Sequence, residues 1–287
     1  MNPGIAEMEA VYTLLRGVKV LPPSPAVLPK VLEALRHEQT TLEEVGELNS
    51  LDPVLTAKLL HYCNSVYFSG REPVASVPEA IGRVGFQTIF ALVAAVTGSK
   101  SFNLSGASGL DGSQLWKHSL TTAFACKFIA EDIETDGNLL FTAGLLHDIG
   151  RVVLAQAKGA EYGQLFNQAP GAGGDMTGRE KAAYGFTHAD VGACLMETWK
   201  LPDPLVQAVR FHNQPAAAGA AGKMAAGVCV GNALAHRFEH PAEDLGGENP
   251  ELPGALELLS LGSRNLDLYD EQMQENWEFV NRLIVLH

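Results

Sequence analysis

An all-α fold is what this sequence predicts, and three observations carry the prediction. Apolar residues recur at helical spacing through nearly every segment of the 287-residue chain, and strand-type alternation persists nowhere. The segments also open, one after another, on helix-capping signals. Hydrophobic residues make up 46% of the chain and charged residues 18%, with a mean hydropathy of +0.05, a composition expected of a soluble globular protein.

The elements follow in order. Residues 1–20 read as an N-terminal helical extension. Ser24 caps and Pro25 opens a helix whose Val27, Leu28, Val31, Leu32 and Leu35 share a face. Thr40 with Glu43 has capping-box spacing ahead of Leu42, Val45 and Leu48, and Asp52 with Pro53 starts a third helix. Ser76 and Pro78 open another, stopped by Gly85 before a helix from Phe86 that is apolar on most sides. The Gly/Ser-rich stretch 101–114 is the expected joint between an N-terminal subdomain (21–100) and a second one (114–236).

Beyond the joint, Leu115, Trp116, Ser119, Ala123 and Phe124 line one side of a helix. Asn138–Ala157 reads as one further helix with Gly150 in its interior, and Lys158–Met176 as an exposed loop. Thr177 with Glu180 and Thr187 with Asp190 repeat the capping-box spacing, and Asp203 with Pro204 starts the next helix. A Gly/Ala-rich helix covers 228–235. In the remainder, 237–287, a loop precedes a C-terminal helix from about Tyr269 to Leu286, which either closes the core or pairs with another chain as a homodimer.

Twenty Lys and Arg against thirty-three Asp and Glu leave a charge of −13, which disfavours nucleic acid and anionic membrane surfaces as partners. The N-terminus lacks a basic start followed by an apolar stretch, so a cytoplasmic location is expected. The longest apolar run, Ile89–Val96, is too short to span a bilayer. Cys63, Cys126, Cys194 and Cys229 are separated singletons, read as reduced packing residues. Trp116 and Trp199 read as core anchors, and His37, His61, His236, His240 and His287 as surface or core positions. Lys58, Asn64, Ser65, Tyr67 and Phe68 cluster near one turn and could face a groove.

The chemistry concentrates in four segments of the second half: LWKHSL with His118, GLLHDIG with His147 and Asp148, GFTHADVG with His188, and RFHNQP with His212. Imidazole and carboxylate are the ligands of Zn, Mn, Fe or Ni, and a helical bundle can aim several at one interior point. Adjacent His and Asp diverge by about 100° around a helix, so His147 and Asp148 both reach one ion only if it sits between their directions or if one of them acts through the other. A buried polar pair, satisfied by neighbouring helices, is the alternative reading of these two.

AGLLHDIGR, with His118 one helix earlier, resembles the core motif of the HD superfamily of metal-dependent phosphohydrolases. LPPSPAVLPKVLEAL, LDPVLTAKLLHYCNSVYFSG, SVPEAIGRVGFQTI and GFTHADVGACLMETWKLPDPLVQAVRFHNQP together resemble the HDOD domain, an HD-related output domain of bacterial signalling, from Leu21 to His236. The resemblance implies an HD-like helical bundle preceded by an N-terminal helical subdomain. It also implies a metal set of His118, His147, Asp148 and the region of Asn232, with His188 and His212 as the further histidines of binuclear members. Asn232 stands where an aspartate is expected, and Asn213 where many relatives carry a second histidine. No Gly-Tyr-Pro signature of the cyclic-di-GMP phosphodiesterase branch occurs. The implied function is a signal-transduction output module that meets a signalling partner in trans, with a degenerate HD site. The alternative is a metal-dependent phosphohydrolase acting on a nucleotide or other phosphate ester, with Asp148 as its catalytic residue.

Overall fold

A computed structural model of the chain describes residues 3–18, 109–167, 176–239 and 250–285, with positions 75, 79 and 104 besides. Contacts divide the chain into residues 1–23 with 102–277, and residues 24–101 with 278–287. The helices expected from Ser24 through Val96, Cys63, the cluster from Lys58 to Phe68, and His37, His61, His240 and His287 lie outside the described residues. Among the described residues every element is an α-helix or a 3₁₀ turn, so the fold is all-α as expected.

α1 (Pro3–Gly17) buries Val11 and Leu15. α2 (Gly112–Asp132) starts where Asp111 accepts from the Ser113 amide, and it buries Trp116, Leu120, Phe124 and Ile129. α3 (Gly137–Leu146) is capped by Asp136, whose side chain accepts from the amides of Asn138 and Leu139. α4 (Ile149–Lys158) follows at once, with Asp148 as its N-cap.

The single helix expected over 138–157 is therefore two. Residues 137–158 reach a mean hydropathy of 1.2, enough by composition to cross a membrane, but 89% of the most apolar part is buried inside the protein and the chain turns in its middle. Just past the turn, Gly150 passes against α7. A Cβ there would collide with the His188 carbonyl oxygen and lie 2.7 Å from the Gly192 amide nitrogen, so glycine alone lets the backbones meet.

The loop expected over 158–176 is helical in its first half: α5 (Ala160–Asn167) buries Tyr162. α6 (Met176–Tyr184) begins before the predicted cap at Thr177, and Glu180 is not a capping partner but a buried residue on its inner face. α7 (His188–Thr198) carries the capping box in full, Thr187 and Asp190 exchanging bonds as the spacing predicts. α8 (Asp203–Arg210) follows Pro202, then two 3₁₀ turns (Pro215–Ala217 and Gly219–Ala221) lead into α9 (Gly222–Glu239), longer at both ends than the predicted 228–235. α10 (Leu252–Leu259) takes up part of the expected loop, and α11 (Ser263–Val285) closes the order. Leu252, Ala255, Leu259, Tyr269 and Met273 are buried, and Tyr269 donates to Asp132 Oδ2 at 2.6 Å, so this part of the C-terminal segment packs on α2 and the core. Cys126, Cys194 and Cys229 are buried free thiols, as read. Trp116 is a core residue, while Trp199, the C-cap of α7, is half-buried.

Candidate metal centre

The break between α3 and α4 lifts the condition that a continuous helix would place on an adjacent His–Asp pair. His147 is the C-cap of one helix and Asp148 the N-cap of the next, and His147 Nε2 lies 3.5 Å from Asp148 Oδ2. His118 arrives from α2, His188 from the first position of α7, His212 from just beyond α8, and Asn232 from α9. All six residues named by the sequence meet in one buried place, each between 0% and 8% exposed. Two ligand groups form there: His118, His147 and Asp148, and Asp148, His188 and His212, the atoms of each within 4.8 Å of one another. The histidine rings run in a chain, with centroids 5.3 Å apart for His118–His147, 5.1 Å for His147–His212 and 5.5 Å for His188–His212.

His147 and His212 are oriented by one device. Each donates Nδ1–H to the carbonyl oxygen of the residue three before it, Gly144 and Val209, at 2.7 Å. That bond fixes the tautomer and leaves the Nε2 lone pair for the interior. Burial disfavours the charged ring, lowering the pKa of His147 to about 4 and that of His212 well below the ordinary value. Both are neutral imidazoles, the state a metal needs. His212 Nε2 accepts from the Asn213 amide at 2.9 Å. His147 Nε2 has no hydrogen-bond partner although fully buried, which leaves its lone pair for an ion.

His188 is gripped from outside. Glu180 Oε2 accepts from its Nδ1 at 2.7 Å and from its backbone amide at 2.8 Å, and Tyr162 donates to Glu180 Oε1 at 2.6 Å. Burial works against the imidazolium, but the Glu180 carboxylate outweighs it and raises the pKa to about 9. Asp148 Oδ1 stands 3.2 Å from His188 Nε2 and 2.9 Å from Arg151 Nε. Burial alone would favour the neutral acid, yet Arg151 and the neighbouring histidines hold Asp148 well below the usual carboxylate range.

On the α9 side, His118 Nε2 bonds Asn232 Oδ1 at 2.9 Å and His118 Nδ1 bonds Glu239 Oε2 at 3.0 Å. Two oxygen acceptors call for a doubly protonated ring. Burial disfavours that charge, but Glu239 more than compensates and the pKa lies above the ordinary value. His236, one turn from Asn232, lies against His118 with ring centroids 4.4 Å apart.

Sequence reading missed Glu180, Tyr162, Arg151, Glu239 and His236. Arg151 lies inside the quoted AGLLHDIGR, and Asn232, His236 and Glu239 follow helical spacing along one face of α9, which is the signal that could have found them.

An HDOD domain model matches residues 21–215. Among curated proteins, an uncharacterised protein of Treponema pallidum (strain Nichols) is 25% identical over 201 residues, 67% of this chain and 37% of that protein. The chain thus spans little more than a third of the length of the relative it matches. Among solved structures, an HDOD protein of unknown function from Geobacter sulfurreducens superposes with a TM-score of 0.77 at 22% identity, covering 98% of both chains. A candidate signal transduction protein from Marinobacter aquaeolei VT8 gives 0.76 at 20% identity, covering 98% of this chain and 65% of that one. A candidate phosphohydrolase from Shewanella amazonensis SB2B gives 0.70 at 25% identity, covering 94% and 96%.

Proposed function

The chain belongs to the HDOD family, and from that premise we propose that it is a bacterial, cytoplasmic signal-transduction output module that works by contact with a signalling partner, its HD site turned away from turnover but still able to take a divalent ion. One observation carries the reading. Asn232, which brings no charge where catalytic HD proteins bring a carboxylate, has its amide oxygen committed to His118, whose other nitrogen is committed to Glu239. A ring that donates at both nitrogens has no lone pair for a metal, so the His118 side of the site is closed.

The remaining donors fit an ion once His188 gives up its Nε2 proton: His147 Nε2 has no hydrogen-bond partner, and Asp148, His188 and His212 stand beside it. These residues would hold it, and a bound ion would acidify water and polarise a phosphoryl oxygen. That fit, with the likeness to the Shewanella protein, favours phosphohydrolysis as the second reading.

The test is metal content by mass spectrometry on protein purified without a His-tag, in wild type and His147→Ala, followed by a phosphate-ester panel after loading with Mn or Fe. Metal retained by wild type and lost in the variant, with no turnover, is the expected result. Turnover abolished by His147→Ala would replace the signalling reading with the hydrolytic one.

A further inference from the structure

Asp148 already has a cation beside it. Arg151, one turn along α4, places Nε 2.9 Å from Asp148 Oδ1 with its side chain 12% exposed. The contact is out of line for a hydrogen bond: both Arg151 Nε and Asp148 Oδ1 count among the buried atoms with no hydrogen-bond partner. Charge holds the pair together, not an aligned donor. On its outer side the guanidinium carbon lies 5.4 Å from the centroid of the Phe166 ring in α5, a cation–π distance that offers the group somewhere else to rest.

The formal charges give the consequence. Asp148 and Glu180 bring two negative charges to this side of the site, and Arg151 and the protonated His188 return two positive. A divalent ion held by Asp148 and by His188, in place of the His188 Nε2 proton, would balance both carboxylates by itself and leave the guanidinium as an uncompensated charge a few ångströms away, in a buried setting where such repulsion is strong.

We propose that Arg151 is the resident counter-cation of this site and sets how weakly Asp148, His188 and His212 hold a divalent ion, metal binding and the Arg151–Asp148 pair being mutually exclusive. Metal entry then drives the guanidinium off Asp148 and along the Phe166 ring. The inference rests on the metal reading of the site.

Calorimetric titration of the full chain with Mn²⁺ tests it. Arg151→Gln should bind about tenfold tighter than wild type, while Arg151→Lys, which keeps the charge, should stay within roughly threefold. Adding His212→Ala to Arg151→Gln should remove the gain, placing the ion on Asp148, His188 and His212. Equal or weaker binding by Arg151→Gln, with wild type binding Mn²⁺, overturns the role of Arg151 alone. No binding by either protein overturns it together with the metal reading. A measurement on wild type stands if the glutamine variant does not fold: modification of Arg151 by phenylglyoxal, read by peptide mass spectrometry, should speed up several-fold at saturating Mn²⁺, and an unchanged rate overturns the proposal.

Discussion

On the α9 side of the buried site His118 has both nitrogens committed, to Asn232 and Glu239, whereas on the α4–α7 side His147 Nε2 and Asp148 Oδ1 lie buried without a hydrogen-bond partner. The two sides use the same first ligand type, an imidazole on a helix. They differ in what lies behind and beside it. A carboxylate on one nitrogen and an amide oxygen on the other make His118 a charged structural group. A backbone carbonyl on Nδ1 makes His147 and His212 neutral donors. His188, backed by the Glu180 carboxylate, is charged like His118 and takes an ion only by giving up its Nε2 proton, so the contrast between the sides rests on His147 and His212.

The comparison can be broken most severely at Glu180. Its replacement by alanine strands the charged ring of His188 and the Tyr162 hydroxyl in the interior, so we expect a loss of about 3–5 kcal/mol in chemical denaturation. A loss near zero would mean that the α4–α7 side is not held together by this carboxylate. Gly150→Ala should cost about 3 kcal/mol, the upper end for overpacking, because its Cβ meets backbone and not a flexible side-chain end. Its melting temperature should fall by roughly 6–12 °C, while the same substitution at Gly254, which has open space around it, should leave the melt nearly unchanged.

Asn232→Asp sharpens the contrast in the other direction. The new carboxylate should reopen the α9 side and raise Mn²⁺ affinity about tenfold, roughly 1.4 kcal/mol; titration showing no gain would locate the defect in Glu239 instead. Smallest is Thr187→Ala, which removes the cap of α7 and should cost about 1 kcal/mol, readable by denaturation with metal binding preserved.

Much of this was legible in the residues. The capping box at Thr187 and Asp190 is local chemistry and forms where its spacing says. The four histidine segments and Asn232 were named from motif and resemblance, and the fold gathers them. What could not be read is what depends on distant partners. Leu145, Leu146 and Ile149 keep helical spacing across His147 and Asp148, so the apolar pattern does not mark the turn there; beside it the α7 backbone, from far along the chain, comes against Gly150. Thr177 and Glu180 have the spacing of a cap, yet Glu180 has stronger partners in Tyr162 and His188. Tyr162 was hidden because the Gly-rich composition that follows it outweighed one anchoring residue.

The contact of Gly150 with His188 and Gly192 also bears on how this centre could be redesigned. With no side chain between them, α4 and α7 carry Asp148 and His188 as parts of one casting, and the spacing of the two backbones from which they project is set by that contact. A library aimed at a new metal preference would waste its diversity on those two helices. The adjustable wall is α9, where Asn232, His236 and Glu239 present side chains whose length and charge can be exchanged without moving a backbone.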